Sequence, residues 1–560
     1  MLTRKWFTAA SAALLAAVLV AGCSGGGSNA PASPAGTGAG TGTQGGTASP
    51  SLEPITYSFG TTSNKMTWDT PITKKITEAT GVSLKYDVIV GDIFQKWDIW
   101  RASGDYPDIV RLDAANLQKY IEAGAVVPLE DLIEQYGPNI KAKFGDRFEM
   151  LRHADGHIYS IYPVNLSEEA PADSVGPFVV QLAVLEEAGY PEIKTLSQLQ
   201  ELIKSYRDKH PEIDGNKTIG YTAGMESFMI NNTFNNPAIF ASGLPDHGNF
   251  YLDGDNVNWN PVSDRSKRFY EFIYGLIQDD LFDIEAFSMD LEAMQAKMAQ
   301  GRVLSAYAPQ WMVSGVNAAL RAGGQENRMY AHLQLLFDEN VVDHSNTLTP
   351  ANPGTHEWAI TVNAKHPERA IQFIDYLFSD EGQILTNWGI EGVHYEVKDG
   401  KRQVLDSWLE KKAADADALY KEGFTTESAA KGNWFSIGHG AKLADGDYAT
   451  PMTKDLVRRE YTESTKKALE AYGLDTWADL LPKTEFVPGY VWQIQPPEEV
   501  RAIGQRLEEA WRKSLPNILL AESKEQFDAE WEKFVKGAES AGLASYNEAF
   551  TAEWKKSIGK

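Results

Sequence analysis

The chain has 560 residues, 43% hydrophobic and 23% charged, the balance of a soluble protein with room for several domains or two large lobes. Only residues 6–22 form a long apolar run, which excludes a polytopic membrane protein. Net charge is −25; Arg4 and Lys5 are the only charges before Glu53, so the remainder carries −27, which repels phosphate backbones and argues against a nucleic-acid partner.

The N-terminus reads as an address. Residues 1–5 carry two positive charges and 6–20 are apolar and rich in Ala and Leu. Leu19-Val20-Ala21-Gly22-Cys23 follows, with small residues directly before the single cysteine. It is similar to the bacterial lipobox, in which the cysteine is lipidated and becomes the new N-terminus. Residues 1–22 are therefore expected to be a lipoprotein signal peptide, with Cys23 holding the protein to the outer face of a bacterial cell membrane. An ordinary signal peptide with an incidental cysteine is the competing reading. A lone cysteine also rules out an intrachain disulfide. Residues 24–50 contain no charge, no aromatic and no Leu, Ile or Val, so 23–51 should be a flexible tether with an r.m.s. span of about 30 Å. Gly40-Thr41-Gly42-Thr43-Gln44-Gly45 matches GxGxxG, but it follows no strand and opens no helix, so it is not a dinucleotide loop.

From residue 52 the pattern alternates strand and helix. A β-rich run at 55–59 precedes a helix at 71–79 with Pro71 at its start and Gly81 as its stop. A strand at 82–90, a helix at 93–102, a turn at 103–107, a strand at 108–112 and a helix at 114–122 follow. Thr195-Leu196-Ser197-Gln198 is a capping box, and Leu199, Leu202, Ile203 and Tyr206 fall on one face of the helix it opens. Helices are expected at 264–281 and 285–300, a strand at 303–307, a helix after Pro309, a strand at 358–362 and a helix at 367–378. Charged amphipathic helices at 498–513 and 524–539 dominate the last 65 residues. Repeated βα units of this length point to an α/β fold.

Catalytic signatures are absent: the sequence holds no HExxH, P-loop, GxSxG or cysteine-based metal spacing. His153 and His157 stand four apart, but Gly156 between them argues for a turn rather than a helical metal pair. The two carboxylates of a glycoside hydrolase can lie anywhere in a sequence, so missing motifs favour binding over catalysis only modestly.

Three segments carry a resemblance. Ala102-Ser103-Gly104-Asp105-Tyr106-Pro107-Asp108-Ile109 is a turn into a strand; Met298-Ala299-Gln300-Gly301-Arg302-Val303 runs on to Pro309-Gln310-Trp311. The most specific runs from Trp358-Ala359-Ile360-Thr361 through His366-Pro367-Glu368-Arg369-Ala370 and Ser379-Asp380-Glu381-Gly382 to Trp388-Gly389-Ile390-Glu391-Gly392-Val393-His394-Tyr395. In order and spacing the chain from about residue 55 onward resembles the family 1 extracellular solute-binding proteins, in particular the large LipO-like lipoproteins. The resemblance implies a type II two-lobe clamshell of periplasmic-binding-protein kind with extra C-terminal helices. Lobe one would be 52–164 plus 354–396, and lobe two 165–353 plus 397–560. It also implies a non-enzymatic function: a monomer that captures an oligosaccharide between the lobes and delivers it to the permease of an ABC transporter. The rivals are a membrane-anchored polysaccharide-degrading enzyme and a sensing subunit for a membrane kinase.

In such folds ligands sit at the carboxyl ends of strands, which makes Asp113 and Asn116 candidate polar contacts, unless Asp113 simply caps the next helix. Trp311 matches the family's aromatic at the cleft wall, and the CH-rich face of a pyranose packs well on indole; Tyr307 is its weaker companion. Trp388, Trp434 and Trp492 lie in loop-like stretches, and Glu226 follows Gly224 in a loop, so each is a further candidate. Some large relatives carry a calcium loop after the capping-box helix. Here Asp214 and Asn216 are the only evident side-chain oxygens at that place, short of the six to eight calcium takes, so calcium there is doubtful and no other metal or cofactor is expected.

Overall fold

The computed structural model describes residues 53–61, 65–153, 155–167, 169–173, 176–349, 357–415, 417–424, 435–494 and 498–560. The expectations for the signal peptide, Cys23, the tether and Trp434 lie outside them. Every described residue falls in one compact unit, Leu52–Lys560. No helix among them is long and apolar enough to cross a membrane.

The first sheet grows from the N-terminal βα units. Strand β1 (Ile55–Thr61) leads to α1 (Pro71–Thr80), which Thr70 opens by a reciprocal capping box with Thr73. Then come β2 (Val82–Val88), α2 (Ile93–Ser103), β3 (Ile109–Leu112) and α3 (Ala114–Glu122). β1 pairs in parallel with β2 and β3. A second sheet uses β4 (Phe178–Gln181), then α4 (Leu196–Lys209), β5 (Ile219–Thr222), α5 (Asp264–Gln278), β6 (Val303–Tyr307), α6 (Gln310–Ala322) and β7 (Tyr330–Leu333). Its order is β7-β4-β6-β5, with β4 antiparallel to both neighbours. The chain then returns to the first sheet as β8 (Glu357–Ile360), antiparallel to β3, giving the order β8-β3-β1-β2, and continues into α7 (Pro367–Phe378). Each sheet thus has three parallel strands and one antiparallel strand contributed by a crossing of the chain. This is the two-lobe α/β arrangement expected from the sequence.

Two large apolar cores match the two sheets. The first gathers Tyr57, Phe59, Ile109 and Ile133 with Trp358, Ile374 and Phe378. The second gathers Phe178, Tyr221, Leu304, Tyr307 and Leu333 with C-terminal side chains such as Trp511, Leu515, Phe527 and Trp554. Helices α8 (Glu498–Leu519), α9 (Lys524–Ala541) and α10 (Leu543–Ser557) therefore belong to the second core. Trp511, fully buried on α8, donates from Nε1 to the Tyr270 hydroxyl at 2.8 Å.

Two expectations need correction. The division at 397 puts all later residues in lobe two, yet Phe435, Ile437, Ala441, Leu443 and Ala449 pack in the first core, against the α7 side of its sheet. The helix expected over 285–300 is broken. Asp283 caps a 3-10 turn at Ile284–Ser288, and Asp290 accepts from the Ala293 amide to start a separate helix, Leu291–Met298. Two short polar caps override a continuous helical pattern.

Candidate functional site

The carboxyl end of β6 delivers Ala308 and Pro309, and α6 starts directly after, with Trp311 in its first turn. Trp311 is half-buried and packs on a small apolar cluster that includes Met294, Met312 and Val313. The Phe228 ring lies 6.2 Å from it at 39°, and Phe228 is 36% exposed. These two rings form a partly open aromatic platform. Phe228 comes from the loop that follows β5, and that loop is fixed from several sides. The Thr233 hydroxyl donates to the Gly224 carbonyl at 2.6 Å, and the amides of Met225 and Glu226 both donate to the Met289 carbonyl, at 3.0 and 3.1 Å. Ser227 takes the left-handed conformation, φ 51°, which turns the chain between Glu226 and Phe228. Glu226, two residues before Phe228, is exposed.

A second aromatic pair stands elsewhere in the same lobe. Tyr490 and Trp492 are stacked, 5.5 Å apart at 12°; Trp492 donates from Nε1 to the Asp246 carbonyl at 3.1 Å, and Tyr490 from its hydroxyl to the Thr347 carbonyl. His247 backs this pair. It is buried, lies edge-on to Tyr490 at 5.8 Å, and its Nδ1 accepts from the Val491 amide at 3.2 Å. Burial pushes its pKa down from 6.5 to about 4.

At the carboxyl edge of the first sheet, Asp113 is the N-cap of α3. Its Oδ1 accepts from the Asn116 amide at 2.7 Å, and the Asn116 side chain donates to both carboxylate oxygens. Burial raises the Asp113 pKa, opposed by those hydrogen bonds. On the next strand Glu357, opposite Leu112, is buried and accepts from the Ser160 hydroxyl. The lobes meet through an ion pair, Glu122 at the end of α3 with Arg501 near the start of α8, 3.2 Å apart. At the crossover into the second sheet, His332 of β7 donates from Nδ1 to the Gly176 carbonyl at 2.6 Å; burial lowers its pKa.

A model of the bacterial extracellular solute-binding proteins matches residues 60–384, more than half of the chain. The chain belongs to this family. Among relatives of this solute-binding protein, FusA of Streptococcus pneumoniae, a fructooligosaccharide ABC transporter substrate-binding protein, is 24% identical over 364 residues, covering 61% of this chain and 64% of FusA. The lipoprotein LipO of Bacillus subtilis is 22% identical over 354 residues, covering 59% of this chain and 65% of LipO. The matches thus span a little under two thirds of either curated relative. In three dimensions the crystal structure of S. pneumoniae FusA with kestose superposes with a TM-score of 0.63 at 18% identity, over 90% of this chain and all of that one.

Against this site the solute-binding protein's candidate residues divide. Trp311, Glu226 and Trp492 stand at partly open positions near the strand ends or their connecting loops. Asp113 and Asn116 reach the expected edge, but they satisfy one another, and Asn116 also accepts from Lys119 at 3.1 Å. Tyr307 is corrected to a core residue. It is 1% exposed, edge-on to Phe178 at 5.3 Å, and burial lifts its hydroxyl pKa well above 10. Trp388 is likewise core: 5% exposed, with Nε1 donating to the Tyr448 carbonyl at 2.9 Å and the Arg402 guanidinium 5.5 Å from its ring. Phe228 and Glu357 were not expected from the sequence. An aromatic two residues after a loop carboxylate was the available signal for Phe228; nothing local marks Glu357. The place considered for calcium is a two-residue hairpin, with Glu212–Ile213 paired to Asn216–Lys217 and Asp214 and Gly215 at φ 51° and 75°. Beside it the Lys217 ammonium pairs with Asp280 at 2.8 Å. Among the described residues no group of three His, Cys, Asp or Glu side chains is placed to hold a metal ion.

Proposed function

We propose that this solute-binding protein captures a neutral oligosaccharide between its lobes and hands it to the permease of an ABC transporter, breaking no bond. The observation that carries this reading is the Phe228–Trp311 platform, with the exposed Glu226 in the same loop two residues before Phe228, at the carboxyl ends of β5 and β6. A pyranose or furanose ring offers apolar C–H faces to such rings and hydroxyls to such a carboxylate. The fructooligosaccharide assignment of FusA, and kestose in its structure, support the same ligand class. Lobe one is taken as 52–164 plus 354–396 with 435–449 added, and lobe two as 165–353 plus the rest of 397–560. The protein acts as a monomer held to the membrane by lipid on Cys23, consistent with its likeness to LipO.

A thermal-shift panel of neutral and acidic glycans tests the ligand class. A binder present at a hundred times its Kd stabilises the native state by about 2.7 kcal/mol, so the melting point rises only with true ligands. For the glycan found, small-angle scattering is expected to show the radius of gyration falling at saturation as the lobes close. A panel without a single hit contradicts the ligand class, and an unchanged radius contradicts the clamshell closure. The anchor is tested separately. Cys23→Ala is expected to release the protein from the membrane fraction or leave its signal uncleaved; a processed protein still in the membrane fraction removes the lipid anchor.

A further inference from the structure

We infer that Arg512, far from the platform in sequence, is the positioning residue that keeps it assembled. This rests on the reading of Phe228 and Trp311 as the ligand-binding wall. Arg512 sits on α8, and its guanidinium is used along two edges. Nε and Nη2 donate to Glu508 at 3.1 and 2.8 Å. Nη1 donates to the Met225 carbonyl at 2.8 Å, and Nη2 donates to the Ser227 carbonyl as well. Those carbonyls flank Glu226. The loop is thus gripped from both sides, its amides by the Met289 carbonyl and its carbonyls by Arg512.

Ser227 decides the geometry. Its left-handed conformation is disfavoured for a residue with a Cβ, so an outside contact must hold it. The charge-assisted bond from Arg512 to the Ser227 carbonyl is that contact, and the next residue is Phe228. Without it Ser227 relaxes toward ordinary backbone angles and carries the Phe228 ring away from Trp311. Lysine cannot replace arginine here, because one ammonium cannot span two carbonyls and a carboxylate in a planar fork. Docking of α8 itself does not depend on Arg512, since the neighbouring Trp511 is fully buried and bonded to Tyr270.

The test uses the full chain labelled with 5-fluorotryptophan, with the Trp311 fluorine resonance assigned by Trp311→Phe. Arg512→Met is expected to shift that resonance as Phe228→Leu does, while the Trp511 resonance stays in place. Arg512→Lys is expected not to restore it. An unmoved Trp311 resonance in Arg512→Met overturns the inference. Should Arg512→Met fail to fold, Arg512→Lys carries the same expectation, and an unmoved resonance in that variant overturns the inference equally. Calorimetry with kestose and other neutral trisaccharides adds the functional arm. Arg512→Met is expected to weaken binding by about three- to tenfold, with no further loss when Phe228→Leu is already present. Additive losses overturn the route through Phe228. A shifted Trp311 resonance, with binding unchanged in Arg512→Met, Phe228→Leu and Trp311→Ala alike, leaves the positioning intact and overturns the underlying reading of the wall.

Discussion

Trp311→Ala is expected to weaken glycan binding at least tenfold while the protein remains folded. Trp311 opens α6 at the end of β6, and Phe228 borders it with more than a third of its surface open, so the pair offers a ring face to a sugar. Losing one stacking face costs on the order of 1–3 kcal/mol, by analogy with base–aromatic stacking, and tenfold in affinity is about 1.4 kcal/mol. The competing account is that Trp311 serves the apolar cluster of Met294, Met312 and Val313 on which it packs. Truncating a fully buried tryptophan costs about 3–5 kcal/mol of folding stability. A half-buried one should lose less. Calorimetric affinity and urea unfolding measured on the same variant therefore separate the two roles. Unchanged affinity with a stability loss near the upper figure assigns Trp311 to the core and removes the platform as a binding wall.

The contrast between Trp311 and Trp388 shows what the sequence held and what it did not. Local signals were legible: Pro71 and the Thr195 capping box each start a helix, the strand that closes on Tyr307 ends where expected, and α7 begins at Pro367. Such features depend on residues a few positions apart. Trp311 was legible for the same reason, since a strand, a proline and a helix start fix its place. Trp388 looked similar in its loop, yet its ring is closed over by Arg402 and Tyr448, up to sixty residues later in the chain. Loop context predicts irregular backbone but not burial. The same limit hid Phe228, whose exposure matters only because Trp311 lies next to it, and Arg512, whose carbonyl partners are 285 and 287 residues away. Tyr307 failed in a different way. It is on the right strand, but a strand in the middle of a covered sheet buries both faces, and all five residues of β6 are buried.

Acid is expected to lower stability through His247, which packs behind the Tyr490–Trp492 pair, by about 2 kcal/mol from this one group between pH 7 and pH 5. His247 is 4% exposed, and burial alone holds its pKa near 4 against an ordinary 6.5. In the folded chain it stays neutral through this range, whereas in the unfolded chain it takes up a proton below about 6.5. The unfolded state therefore binds more protons. This group's contribution is complete above about pH 6.5 and is lost as pH falls toward about 4. Protonation would also occupy the Nδ1 lone pair that accepts the Val491 amide, beside the Tyr490 ring and one residue before Trp492. That packing should therefore loosen only toward pH 4, where the native chain itself takes up the proton. Other histidines shifted downward by burial, among them His153, His332 and His394, add to the same slope, so the measurement has to be a difference. His247→Asn keeps an acceptor in reach of the Val491 amide and cannot take a charge in this range. Between pH 7 and pH 5 the native chain is expected to lose about 2 kcal/mol more than this variant in urea unfolding. Parallel curves for the two proteins would mean that His247 accepts its proton at no cost to the fold, and that the acid sensitivity lies in other groups.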